Sequence, residues 1–285
     1  MKPPLLIETT RKLAEILPRL RESRHIAVDT ESNSFHAYFE RLCLIQISTP
    51  EEDYILDPLA IEDLTGLGEV LSDSKIEKIF HAASNDVLGF KRDFQFQVHG
   101  LFDTAIAGKL LGCKKLALAR MLEDHFGVIL DKKWQRCNWA RRPLDEEQLD
   151  YARLDTHYLI PLRHQMAVEL EERNLWDAAA KAFQMVCEQS LQQKVFRPGG
   201  YLYIRGARQL DQEGKRVLKA LYLYREQEAK KRDIAPFRIL SNETLVRLAQ
   251  CRPASVEDLA RIKGVPKVYR HHPSARQLLK RIWNV

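Results

Sequence analysis

Three apolar runs follow one another in the first quarter of the chain: HIAVDTES (25–32), RLCLIQIS (41–48) and DYILDPL (53–59). Runs of this length, rich in Ile, Val and Leu, read as strands, and three strands in sequence suggest a meander. KIEKIF (75–80) reads as a further short strand. Helical spacing then takes over. Ser84 or Asn85 is placed to cap a helix through DVLGFKRDF, while DTAIAGKLLG and KLALARMLEDHFG each stop at a glycine, Gly112 and Gly127. A longer helical pattern runs from Asp145 to Asn174, with Pro161 as a kink or restart inside it. Strands followed by packed helices predict a layered α/β or α+β domain.

The first strand ends in an unusual way. Asp29 and Glu31 are two residues apart, so on an extended chain their side chains point to one side. Like charges held together repel, and one is pushed toward its neutral form unless a cation sits between them. A divalent metal would resolve the conflict. Two carboxylates hold one metal poorly, so partners are expected from other elements that reach the same strand end. Asp86 lies just inside a helix start, where the helix N-terminus alone would favour a carboxylate. Tyr151 and Asp155, in LDYARLDTHYL, are four residues apart and share a helix face. A phenol beside a metal-binding carboxylate can position a water, although an amphipathic helix also accounts for the pair taken alone.

The charge is unevenly divided. Residues 191–285 carry 21 Lys and Arg against 8 Asp and Glu, whereas residues 1–190 carry 24 against 31. A basic segment joined to an acidic one fits a second half that meets a polyanion, with a solvated basic surface as the plainer account. Five cysteines without a C-x-x-C pair argue against a disulfide framework and a thiolate zinc site. No window approaches the roughly 18 apolar residues that span a bilayer, and the start MKPPLLIETTRKLAEIL is too charged for a secretory signal. A soluble, cytoplasmic chain with no membrane contact is expected. Pro198, Gly199 and Gly200 in QQKVFRPGGYLYIRGA suggest a linker over 194–206, between a domain at 1–193 and a helical one at 207–285.

Together, VDTES, HAASND and YARLD resemble the three motifs of the DEDD 3′–5′ exonucleases in their order, the last in its Tyr-x-x-x-Asp form. RLCLIQIS, LFDT and LDKKWQRCNWARRPL bring the resemblance closest to ribonuclease D, over about residues 26–162. The resemblance implies an RNase H-like mixed sheet with flanking helices. It also implies two Mg2+ or Mn2+ ions held by Asp29, Glu31, Asp86 and Asp155, about 3.5–4 Å apart in two-metal sites generally. Tyr151 would orient the attacking water or help take its proton, leaving nucleoside 5′-monophosphates. Lys132 and Gln135 would position the last nucleotides. Asp103 of LFDT matches the family too, with a structural role and no metal. Ser32 and Asn138 depart from residues common in relatives, an aromatic and an acid, without removing a metal ligand. Phe35, Tyr38 and Phe39 read as core aromatics ahead of base-stacking surfaces.

From about Ala207 the chain resembles the all-α HRDC domain, on the stretch LKALYLYREQEAKKRDIAPFRILSNETLVRLAQCRPASVEDLARIKGV. Ser241 and Ser255 are expected to cap two of its helices. Lys215, Arg216, Lys219 and Arg225 are spaced to share part of a phosphate-tracking helix face. The implied substrate is RNA, at single-stranded 3′ ends of structured RNA such as tRNA precursors, acted on by a monomer. DNA is the alternative polymer, and a catalytically inactive nucleic-acid-binding protein the alternative class.

Overall fold

The strand read from HIAVDTES forms over His25–Ser32 and is a pivot of a six-stranded mixed sheet. The computed structural model describes residues 2–131, 133–191, 195–271 and 273–283. They fall into two units, one within 1–33 and 41–192 and one within 34–40 and 193–285.

In chain order the first unit runs β1 (Leu5–Ile7), α1 (Thr10–Glu22), β2 (His25–Ser32), β3 (Leu42–Ser48), β4 (Asp53–Leu56), α2 (Thr65–Ser72) and β5 (Glu77–Phe80). It continues through α3 (Ser84–Phe94), β6 (Leu101–Asp103), α4 (Thr104–Leu110), α5 (Leu118–Phe126), α6 (Glu146–His157), α7 (Leu159–Glu172) and α8 (Trp176–Cys187). The sheet order is β1-β4-β3-β2-β5-β6. β2, β3 and β4 form the antiparallel meander the sequence predicts, and β2 pairs in parallel with β5 on its other side. Because β2 and β5 are parallel, both chains leave the sheet at the same end. All seven residues of β3 are buried, so this strand is covered on both faces. Ile45 and Ile47 join the larger core, while Leu44 packs with Trp139, Tyr151 and Ala152 on the other face.

Helix boundaries follow local chemistry. Gly112 and Gly127 both adopt positive φ, +79° and +67°, just past α4 and α5. The long pattern breaks at Tyr158, between α6 and α7, and Pro161 falls in the first turn of α7, where its missing N–H costs nothing. Neither Ser84 nor Asn85 caps α3. The cap position is Ala83 with no side-chain bond, and the Ser84 hydroxyl instead donates to Gln189 Oε1 at 2.7 Å.

The second unit is helical: α9 (Gln212–Arg232), α10 (Pro236–Ile239), α11 (Asn242–Cys251), α12 (Val256–Arg261) and α13 (Ser274–Trp283). Ser241 and Ser255 cap α11 and α12 as expected, accepting from the backbone N–H of Thr244 and Asp258. Three expectations change here. Residues 194–206 are not all linker, because Pro198–Tyr203 forms a 3₁₀ segment, Ile204 is buried in this core and Tyr201 packs on it. Arg225 does not join the basic face. It is 7 % exposed and donates to the Leu240 carbonyl and to Asn242 Oδ1. The aromatic cluster divides: Tyr38 packs on the helical core with its hydroxyl donating to Glu226, whereas Phe35 and Phe39 are 44 % and 56 % exposed. The segment carrying them belongs to this unit because Asp233 Oδ1 accepts from the N–H groups of Tyr38 and Phe39.

Candidate active site

Period-two alternation delivers Asp29 and Glu31 to one face of β2. Across the antiparallel pair, Asp29 lies opposite Gln46 and Glu31 opposite Leu44. That face is covered by α6, whose Thr156 hydroxyl meets Ser48 Oγ at 2.7 Å. α6 therefore brings Tyr151 and Asp155 over the acid-bearing end of β2. Its start is fixed by a reciprocal capping box between Asp145 and Gln148. From the parallel neighbour β5, the chain turns into α3 and presents Asp86. The hydroxyl of Thr30, between the two acids of β2, donates to Asp86 Oδ1 at 2.5 Å.

These groups act on one another electrostatically. Burial and then the charges of Asp86, Asp155 and Glu31 hold the Asp29 carboxyl well above the usual carboxylate range. Burial, Asp155 and Asp86 push Glu31 up to about 9. Burial raises Asp86 and Asp155 to about 7 each, against the opposing pull of Thr30 on Asp86. Burial and the neighbouring Asp155, Glu31 and Asp29 also raise the Tyr151 phenol, which is therefore a proton donor near neutral pH. Four carboxylates, with Asp29 and Glu31 raised by the charges of the others, form an all-oxygen donor set, the chemistry that Mg2+ and Mn2+ select. Among the described residues no three His, Cys, Asp or Glu side chains are already drawn together as a cage for one ion. The fit to divalent cations rests on donor type and charge, which point the same way: added positive charge is what would let these acids ionise together.

Two supports hold the geometry. Asp103 is buried, and its carboxylate accepts from four backbone N–H groups: Ala82 and Ala83 at 3.0 and 2.8 Å, and Ala105 and Ile106 at 2.8 and 3.1 Å. It ties the β5–α3 turn, where Ala82 has a φ of +59°, to the start of α4. This is the structural role expected for Asp103. Replacing it with Ala leaves those donors to compete for water, so Asp103→Ala is expected to lower unfolding free energy by about 3 kcal/mol, read by denaturant titration. The second support is Trp139, which stacks on Tyr151 with ring centroids 6.1 Å apart. Its carbonyl accepts from Arg142 Nη1 at 2.7 Å, and Arg142 Nη2 also donates to the Cys43 carbonyl and to Asp57 Oδ1.

Of the residues expected at the site, Asp29, Glu31, Asp86, Tyr151 and Asp155 lie within electrostatic reach of one another. Gln135 is exposed on a turn, and Lys132 lies outside the described residues. Thr30 and Trp139 are supports that motif reading passes over. Thr30 looks like a spacer because alternation turns its hydroxyl away from the two acids, toward α3.

An acid-lined site at the outgoing ends of β2 and β5, with a tyrosine one helical turn from Asp155, is an arrangement suited to hydrolysis assisted by divalent metal. Comparison with known proteins makes this specific. A 3′–5′ exonuclease family model matches residues 4–171, and an HRDC domain matches residues 214–280. The chain belongs to the DEDD 3′–5′ exonuclease family, of ribonuclease D type, with a C-terminal HRDC domain, and divalent-metal dependence is general in that family. The catalytic core of RRP6 from Trypanosoma brucei superposes with a TM-score of 0.88 at 26% identity, over 99% of this chain and 79% of that one. Escherichia coli RNase D, described as an exoribonuclease involved in structured RNA processing, gives 0.71 at 31% identity over 100% and 75%. The exosome complex component 10 homolog of Caenorhabditis elegans is 34% identical over 89% of this chain and 30% of its own length. The chain spans about a third of the length of the curated relatives it matches, 30% of that protein and 37% of the Saccharomyces cerevisiae exosome complex exonuclease RRP6. Among the described residues no helix is long and apolar enough to cross a membrane.

Proposed function

We propose that this protein is a divalent-metal-dependent 3′–5′ exoribonuclease that removes nucleoside 5′-monophosphates one at a time from RNA ends. The observation that carries the reading is the convergence of Asp29, Glu31, Asp86 and Asp155, each raised in pKa, with the Tyr151 phenol among them. The four carboxylates would hold two Mg2+ or Mn2+ ions. When bound, such ions make hydroxide available from water near neutral pH and stabilise charge on the phosphate and the departing 3′ oxygen. Tyr151, a donor held in place by the Trp139 ring, orients the attacking water for in-line approach. Thr30 keeps the Asp86 carboxylate from turning away. The polymer is proposed to be RNA, as in the exoribonuclease named above, with 3′ ends of structured RNA such as tRNA precursors as candidates and a monomer as the working form.

The test uses matched 3′-labelled and 5′-labelled RNA and DNA single strands with Mg2+ or Mn2+. Stepwise shortening of RNA from its 3′ end is expected. Tyr151→Phe should slow it about 100-fold while leaving RNA binding unchanged, since only the water-orienting hydroxyl is lost. Preferential loss of DNA would move the substrate to the other polymer. RNA binding without cleavage of either strand would make the protein a binding module.

A further inference from the structure

Gln46 lies in the middle of β3, the strand whose seven residues are all buried. It is 0 % exposed, and neither Nε2 nor Oε1 has a hydrogen-bond partner among the described residues. A buried amide with both ends unpaired destabilises a fold, and an apolar side chain of similar size would relieve the cost. The register shows what it faces. Gln46 is directly opposite Asp29 on one side and Ile55 on the other. Cross-strand partners hold their Cβ atoms about 5 Å apart on the same face, so the amide lies beside the Asp29 side chain. Along β3 the flanking residues on that face are Leu44, which packs with Tyr151 and Ala152, and Ser48, which meets Thr156. Gln46 therefore lies under the stretch of α6 that carries Asp155.

We propose that Gln46 is a positioning residue of the metal site, its Nε2 donating to the Asp29 carboxylate when cations are bound. The inference rests on the metal-dependent reading above. A ligating carboxylate without such a partner is free to rotate, and an amide fixed by a fully buried strand orients it without adding a charge.

The test is Gln46→Met, which keeps the volume and removes both polar atoms. Melting in chelator isolates the structural effect, and Mn2+ titration followed by the electron paramagnetic resonance of the free ion isolates the site. The expected result is a melting temperature in chelator equal to or above that of the parent, with Mn2+ binding weakened about tenfold. Cleavage should recover toward the parental rate at saturating metal. Unchanged Mn2+ affinity, whether or not the variant melts lower, would overturn the role of Gln46 alone. A parent protein that bound no Mn2+ would overturn it together with the metal-dependent reading.

Discussion

Asp155→Asn is expected to lower RNA cleavage by at least about 1,000-fold while raising the melting temperature of the metal-free protein. Loss of catalysis follows because an amide is a poor ligand for a hard dication and cannot neutralise it, and removing one member of a group that acts as a unit costs nearly as much as removing several. The gain in stability follows from the same geometry. Asp155 is held near 7 by burial and in turn raises Asp29 and Glu31, so its ionisation near neutral pH opposes folding. An amide keeps the shape and removes the charge. Each kcal/mol of relieved repulsion should appear as about 2–4 °C in a melt carried out in chelator. A variant that lost activity and also melted lower would show Asp155 to be a structural support, and the assignment of the site would fail with it.

The second large effect concerns pH. For Asp86, Asp155 and Glu31 the folded-state values lie above those of the unfolded chain, so the folded protein holds their protons longer. The contribution of these groups is therefore greatest below the ordinary carboxylate range. It declines as pH rises, through about 7 for the two aspartates and about 9 for the glutamate. The decline can reach about 1.4 kcal/mol per pH unit for each group while it titrates. Other carboxylates change over the same low range, so the informative quantity is the stability gap between the parent and Asp155→Asn in chelator, followed from pH 5.5 to 8.5. The gap should widen in favour of the variant as pH rises. Saturating Mg2+ should close or reverse it, because the cation replaces the protons. A gap constant with pH would show that these acids do not repel one another in the folded chain.

How much of this was legible in the sequence depended on the range of the interaction. Asp29 and Glu31 could be read as a pair because their relation is two residues long and set by the pleat. Tyr151 and Asp155 could be read for the same reason on a helix. Asp86 was visible only as a charge at a helix start, and its place beside Thr30 required the parallel pairing of β2 with β5, which no local pattern encodes. β1 and β6 escaped because three residues are too few to show a period. Arg225 was misplaced because helical spacing says which residues share a stripe but not whether the stripe meets solvent; Leu240 and Asn242 decide that from 15 and 17 residues away. The exchange of Ser34–Glu40 into the helical unit depends on Asp233, almost 200 residues distant along the chain.

The pleat of β2 also sets limits on how the gene can change. A single-codon insertion or deletion between Ile26 and Asp29 would turn both acids to the opposite face of the sheet, beneath the hydrophobic core instead of α6, even though every residue type survived. Beyond Glu31 the constraint ends, because the pairing of β2 with β3 already slips between Glu31 and Ser32. That slip works as an expansion joint. Segments of different length can be accommodated between β2 and β3 without passing their change of parity back to the carboxylates.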